Sequence, residues 1–497
     1  MKRLLAALAV TVSLSALAKD VPAVIVRVTD TAGLVAAVSK VGEFIGNPML
    51  AMPLTANITA NPAVKFFGPG RAGVPVTGVV TVDPEKAVSV ETLEGNLHFA
   101  VLYPVTKGKA AFLKDHPDAT EKDGVISMKD PKDAFVAFSA DEKWAVLTDK
   151  AEGAQVALKR ADRAQAPLGG DVMQARFTAE GISMFGRLFE DALVEKLAEA
   201  KLGKGSQQAV ADVAKLFKQL SSSKVALRVD DAGVSILSQV KPAADSAYAK
   251  FAPEALPSGD ALAFAGKDAF FASAYAKDCG QGDFDAGWAK FTAFVAKQGL
   301  DLAWLACAKQ GAARTLTLDV DAAVKYFAGA GKAKIDALDP EKFMQELAAL
   351  DDDKSLLSFE GPAGALALAV KGLDTAFTPS ARFARIAPEA AAKKPAYVSV
   401  VSPYAAVRAF APKALALLPE EVRAAVGPLV QTLPPDNAGG FVSYTWREND
   451  VLKSVARVSP DEIKGLSSCF ALGVSLVMQQ QMQAMQMDTS DDADDED

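Results

Sequence analysis

A strand, a helical stretch and a hairpin recur along this chain, and that recurrence limits what it can fold into. The fullest copy spans residues 393–458. Residues 396–401 are a short apolar run. Ser402 can cap a helix, and Pro403 suits the first helical position, where an amide has no partner to lose. Pro412 and Pro419 interrupt the helical pattern and predict two short helices. Residues 441–449 and 451–458 flank a polar turn and predict a hairpin.

Looser copies begin near residues 23, 172 and 262. In the first, residues 22–28 predict a strand, and Asp30 or Thr31 can cap the next helix. Leu34, Val38, Val41 and Ile45 share one face of that helix, and Gly46-Asn47-Pro48 ends it. Residues 49–76, rich in Pro, Gly and Asn, read as a long loop. Strands are expected at 76–82, 87–93 and 97–105, a short helix at 107–114, a hairpin at 134–139 and 144–148, and a helix at 151–161.

The second copy opens with a strand at 172–177. Its helices carry Ile182, Phe185, Phe189 and Leu193, then Val210, Val213, Phe217 and Leu220. A hairpin turns on residues 230–233. Val225, Leu227 and Val229 alternate with Ala226 and Arg228, which predicts one buried and one partly wet face. The third copy opens at 262–265. Trp288, Phe291 and Val295 mark its helix, 302–308 and 315–320 its hairpin, 321–328 and 340–350 further helices, and 356–359 with 365–370 a second hairpin. Residues 372–395 connect it to the fourth.

The expected fold is α+β. Mainly antiparallel sheets carry helices packed on one face, built from four strand–helix–hairpin units arranged as a duplicated pair. The first half covers 19–255, with units 19–167 and 168–255. The second covers 256–487, with units 256–392 and 393–487.

Residues 1–18 read as a signal peptide. Lys2 and Arg3 precede an uncharged run at 4–17 that is short for a bilayer span, and Ala16-Leu17-Ala18 fits a cleavage site. No cysteine follows that run to accept a lipid. The expected location is therefore periplasmic or extracellular, with no transmembrane anchor after cleavage. Cleavage takes the net charge from −8 to −10. Seven acids crowd residues 488–497, a tail expected to be disordered, so the folded body carries about −3. That balance argues against a nucleic-acid partner, which needs a basic face.

Reactive motifs are sparse, and the expectation is no catalytic residue and no cofactor. The three cysteines make Cys279 and Cys307 the candidate disulfide, within one unit, leaving Cys469 as a thiol. Gly68, Gly70 and Gly73 match a dinucleotide fingerprint in letters only, because a strand and not a helix is expected after them. There are only two histidines, His98 and His116. His98 falls in a predicted strand with no nameable nucleophile. Ser221 and Lys224 have Ser-x-x-Lys spacing but lie where a helix gives way to a strand. Asp283 and Asp285 fit a helix start better than a calcium loop.

A final helix is expected from Ser459-Pro460 to about residue 487. Met478, Met482 and Met485 share one of its faces and, with Met487, form the one weak candidate metal cluster, for Cu(I). An apolar stripe that packs on the body or docks a protein partner is the simpler reading. Three functional readings are compatible with these features. One is a non-enzymatic structural or interaction protein of the bacterial envelope. Another is a carrier of an apolar ligand, lipid or peptide, between sheet and helices. The third is a hydrolase built on two carboxylates.

Overall fold

The computed structural model describes residues 21–474, with breaks at 48, 50–51, 60–61, 69, 83–96, 130–133, 159–163, 180, 183–218, 244–254, 257–268, 276–280, 311–312, 350–371, 374–384, 387–388, 390–392, 394–396 and 438. The signal peptide, the expected strand at 87–93, the helices expected between 183 and 218, the strand at 262–265, the hairpin at 356–370 and the methionine-bearing tail lie outside the described residues.

The fold is α+β and is dominated by one sixteen-stranded antiparallel sheet. In chain order its first strands are β1 (Val21–Val28), β2 (Val76–Val82), β3 (Leu97–Pro104), β4 (Thr120–Lys122), β5 (Val125–Ser127), β6 (Phe135–Phe138) and β7 (Trp144–Thr148). Next come β8 (Asp171–Phe177), β9 (Leu220–Asp230) and β10 (Gly233–Pro242). The two-residue β11 (Ala255–Leu256) pairs instead, in parallel, with β15 (Gly372–Leu373). The rest are β12 (Ala269–Tyr275), β13 (Leu305–Gln310), β14 (Ala313–Leu318), β16 (Tyr397–Val401), β17 (Phe441–Glu448) and β18 (Val451–Val458). Across the sheet the order is β13-β14-β12-β16-β17-β18-β10-β9-β8-β1-β2-β3-β7-β6-β5-β4. The β10–β18 ladder, from Val234 opposite Val458 to Val240 opposite Leu452, makes it continuous. Gly233 permits that joint: at φ 124° it sits so close to the Val458 carbonyl that a Cβ would collide with it.

Local signals set the helices. Helix α1 (Thr31–Ile45) is capped by Asp30, whose side chain accepts from the Gly33 amide, and ends at Gly46 with φ 75°. The expected loop at 49–76 instead contains α2 (Met52–Thr59) and α3 (Pro62–Phe67). Their prolines occupy the first turn, where proline is tolerated, so proline here starts helices instead of excluding them. Helix α4 (Lys109–Asp115) precedes a hairpin, β4–β5, that turns on Asp123 and Gly124, both at positive φ. Asp-Gly is a strong two-residue hairpin signal, and it was legible in the sequence. Helix α5 (Ala151–Leu158) follows β7.

In the second half, the first strand of the large sheet among the described residues is β12. Its Ala-, Phe- and Ser-rich sequence carries little β-branched signal. Helices α6 (Gln281–Lys297), α7 (Val320–Ala328), α8 (Ala330–Asp336) and α9 (Pro340–Ala349) come after it in order. Ser402 caps α10 (Pro403–Ala414), which runs through Pro412 before a 3₁₀ turn (Leu415–Leu417). Pro419 immediately precedes α11 (Glu420–Gln431) with no side-chain cap, so only the second of the two prolines breaks the helix as expected. Helix α12 covers residues 460–474.

Helices do not sit on one face only. In β3, Leu102 belongs to a cluster with Trp144, Val146 and Ala154 of α5, while its neighbour Tyr103 packs with Phe67 of α3 and Phe112 of α4. Ala145 and Val146 of β7 are both fully buried, and so are Val136 and Ala137 of β6. Strands that are apolar on both sides must be covered on both sides, which corrects the one-face expectation.

Candidate functional site

The central strands present three successive cross-strand rows on the α5 side of the sheet. One runs Ile25, Arg176, Lys224, Gln239, Lys453, and the next Arg27, Gln174, Ala226, Leu237, Val455. The third runs Asp171, Arg228, Ser235, Arg457. Over the first two of these strands lies the segment 164–170, which comes after α5. A groove of about 450 Å³ opens beside it, lined by Arg27, Gln174, Lys224, Arg228 and Gln239 with Asp171 at one end. Its floor is Ala226 and Leu237, and Pro167 and Leu168 form the apolar wall. Ala226, expected on the wet face, is buried, while Val225, Leu227 and Val229 are only half-buried, because the wall shelters the small residue.

The charged groups differ in how well they are satisfied. Asp171 holds Arg228 through Nε at 2.9 Å and Nη2 at 2.7 Å, and it accepts from Gln174 Nε2 at 2.7 Å. Arg27 donates to the Ala164 carbonyl at 2.9 Å and also to that of Ala166. Its Nε is buried with no acceptor among the described residues. Burial pushes the Arg27 guanidinium below its ordinary pKa. Lys224 and exposed Arg176 stand directly opposite one another, and neither side chain has a partner among the described residues. Like charges directly opposite repel.

Beyond the groove, Glu389 bridges β17 and β18. Arg457 bonds Ser235 Oγ at 3.0 Å, the Ile386 carbonyl at 2.8 Å and Glu389 at 2.9 Å. Tyr444 donates to Glu389 at 2.6 Å. Burial would raise the Glu389 carboxyl, but the Tyr444 hydroxyl and the Arg457 cation outweigh it and hold it below the usual range. Burial, with Glu389 alongside, drives the Tyr444 phenol upward.

Two buried polar clusters invite a catalytic reading and are closed. His98 Nδ1 lies 3.3 Å from Asp149, and Lys150 Nζ lies 3.3 Å from His98 Nε2. A neutral imidazole satisfies both contacts at once: Nδ1–H donates to the carboxylate, and Nε2 accepts from the ammonium. All three side chains are buried, and none of them lines the groove beside 164–170. Thr148 Oγ1, the nearby hydroxyl, is committed to the Phe99 carbonyl at 2.8 Å and to Asp149 at 3.3 Å. Glu462, fully buried, accepts from Ser402 Oγ and from the Tyr404 amide, each at 2.8 Å. It therefore ties α12 to the start of α10, a capping role. Gly465 lets α12 lie flat on the Tyr404 ring, where a Cβ would clash.

The residues singled out by sequence are scattered. Gly68, Gly70 and Gly73 lie in a loop bolted to the sheet by Tyr103 Oη on the Gly68 carbonyl and by the Gly73 amide on Asp30, and β2 comes after it, not a helix. Ser221 donates to the carbonyls of Lys241 and Pro242 at 3.1 Å, within β9, so it forms no dyad with Lys224. Asp283 and Asp285 fall inside α6. His116 packs on Phe66 and Phe112. Cys307 lies in β13, whereas Cys279 falls outside the described residues, as do Met478, Met482, Met485 and Met487. Cys469 is a half-buried thiol on α12, pushed up by burial and by Glu462. The groove itself was not anticipated. Its one sequence signal was the alternation Lys224, Ala226, Arg228 within a strand.

Among the described residues no helix is long and apolar enough to cross a membrane, and no group of three or more His, Cys, Asp or Glu could hold a metal ion. No family model and no curated protein matches the chain. Solved structures of TP0453 do match. Crystal form I is 9% identical over 62% of this chain and 92% of that one, with TM-score 0.24. Crystal form III is 8% identical over 61% and 93%, with TM-score 0.24. Crystal form IV is 9% identical over 44% and 77%, with TM-score 0.22. Likenesses this slight carry no inference about role.

Proposed function

We propose that the chain is an exported, non-enzymatic binding protein of the bacterial envelope, a duplicated sheet scaffold that offers a ligand the groove over β8–β10. The observation that carries this reading is a division of labour. The His98–Asp149–Lys150 and Glu462–Ser402 clusters are closed, while the groove over β8–β10 is lined by cations and amides. Its one carboxylate, Asp171, is committed to Arg228 and Gln174. A hydrolase of the two-carboxylate kind needs a second acid there.

Duplication is supported by strand order. Outward from the β10–β18 joint, one side begins β10-β9-β8-β1-β2-β3 and continues through β7-β6-β5-β4, and the other runs β18-β17-β16-β12-β14-β13. Each side is a hairpin, the opening strand of its unit, then three antiparallel strands of the preceding unit, β1-β2-β3 on one side and β12-β14-β13 on the other. The third unit alone inserts its hairpin in reverse.

An apolar carrier needs an enclosed apolar cavity. The second groove, about 300 Å³, also has charged residues, Lys40 and Asp171, in its lining. A panel of ester, phosphoester, glycoside and peptide substrates tests the reading with the purified full chain. No turnover is expected, and turnover abolished by Asp171→Asn would overturn it. For export, mass analysis should find a mature chain that starts at Lys19. A full-length precursor in the membrane fraction would contradict that.

A further inference from the structure

The groove gathers more positive charge than its own carboxylate neutralises. Arg27, Lys224 and Arg228 face Asp171 alone, so its lining carries a surplus of two positive charges. Arg176 and Lys453 extend the charged row at the groove's side, although Lys453 is held by Glu448 at 2.8 Å. Placing Lys224 directly opposite Arg176 costs stability, since like charges across a ladder repel. Leaving Arg27 Nε buried without an acceptor costs more, because a stranded charged-group donor forfeits its hydration. Arg27 and Lys224 both line one concavity of about 450 Å³, the size of a small-molecule site, with Arg176 beside it. An anion there would offset the repulsion and balance the surplus charge.

We infer that this groove binds a phosphoryl group through Arg27, Arg176, Lys224 and Arg228, with the Gln174 and Gln239 amides at its margin and Ala226 and Leu237 beneath it. A phosphoryl dianion matches the surplus of charge, and its several oxygens suit guanidinium forks and an ammonium together. The apolar wall of Pro167 and Leu168 would face whatever the phosphoryl group is attached to. This rests on the proposed binding role and names its ligand class.

The test is a calorimetric titration of the full chain with inorganic phosphate, with glycerol 3-phosphate and with succinate, beside sedimentation with phosphatidylglycerol or phosphatidylcholine vesicles. Each is run at low and high salt. Binding of either soluble phosphoryl probe, weakened about tenfold by Lys224→Gln and by Arg176→Gln but not by the control Lys332→Gln, is expected if the source is soluble. Sedimentation with phosphatidylglycerol only, lost in the same two variants, supports the site with a lipid headgroup as its source. High salt should weaken either. Absence of all phosphoryl binding, equal binding by the two variants, or tighter binding of succinate would overturn it. Thermal unfolding of each variant separates lost binding from lost folding. Phosphate release from glycerol 3-phosphate would sink the non-enzymatic reading while leaving the groove's ligand class intact.

Discussion

Two regions of one sheet use the same backbone ladder to opposite ends. At the β3–β7–β6 end both faces are closed. Leu102, Trp144 and Val146 meet α5 on one side, and Tyr103, Phe112 and Ile126 pack on the other. Across β8, β9 and β10 the α5-side face is open and carries Arg176, Lys224 and Arg228. The first region buries apolar area and supplies stability at roughly 25 cal/mol per Å². The second forgoes that gain to hold charge in a concavity. Substitution in the closed region should therefore cost folding and little else, whereas substitution in the open one should cost binding and little stability.

The largest expected effect tests that contrast directly. Leu102→Ala, at a fully buried position, should lose about 3–4 kcal/mol in urea unfolding, against about 1 kcal/mol for half-buried Leu237→Ala. Equal losses would break the contrast. Next comes Glu462→Ala. It strands the Tyr404 amide and the Ser402 hydroxyl in a buried site and should cost about 3 kcal/mol, with Glu462→Gln milder. Asp171→Asn removes a pair whose arginine is about one-third exposed, so only about 1 kcal/mol is expected.

Lys224→Gln should have the opposite sign. Relief of its repulsion with Arg176 should leave stability unchanged or raise it by up to about 0.5 kcal/mol in the same assay. A clear destabilisation would show that Lys224 has a structural role. The smallest effect concerns pH. The Glu389 carboxyl lies below its ordinary value of 4.5 in the folded chain. A depressed carboxylate stabilises the fold above its unfolded pKa and loses that contribution as pH falls through the folded one. Glu389→Gln should therefore flatten the stability profile below about pH 4.5, and an unchanged acid limb would sink the assignment.

Residue by residue, the legible part was local. Asp30, Gly46, Ser402 and Pro419 announced helix ends, and the hairpins β6–β7, β9–β10 and β17–β18 stood out through alternation and turn chemistry. Pro53 and Pro62 open helices in a stretch whose composition reads as loop, and Asp123-Gly124 turns a hairpin of strands too short to show alternation. The groove was hidden for another reason. Arg176, Lys224 and Gln239 share a row only because β8, β9 and β10 pair in one register, and nothing within β8 specifies its neighbours.

Sequence alone determined which segments cap, turn and alternate, because those preferences are settled by residues a few positions apart. It also carried the α+β class and the scarcity of histidine. Only the folded chain decided that β10 meets β18, that helices cover both faces at one end, and that dispersed cations converge beside the 164–170 wall. Those outcomes depend on pairing between strands distant in the chain. There the free energy comes from surfaces that meet only after collapse, so no local pattern encodes them.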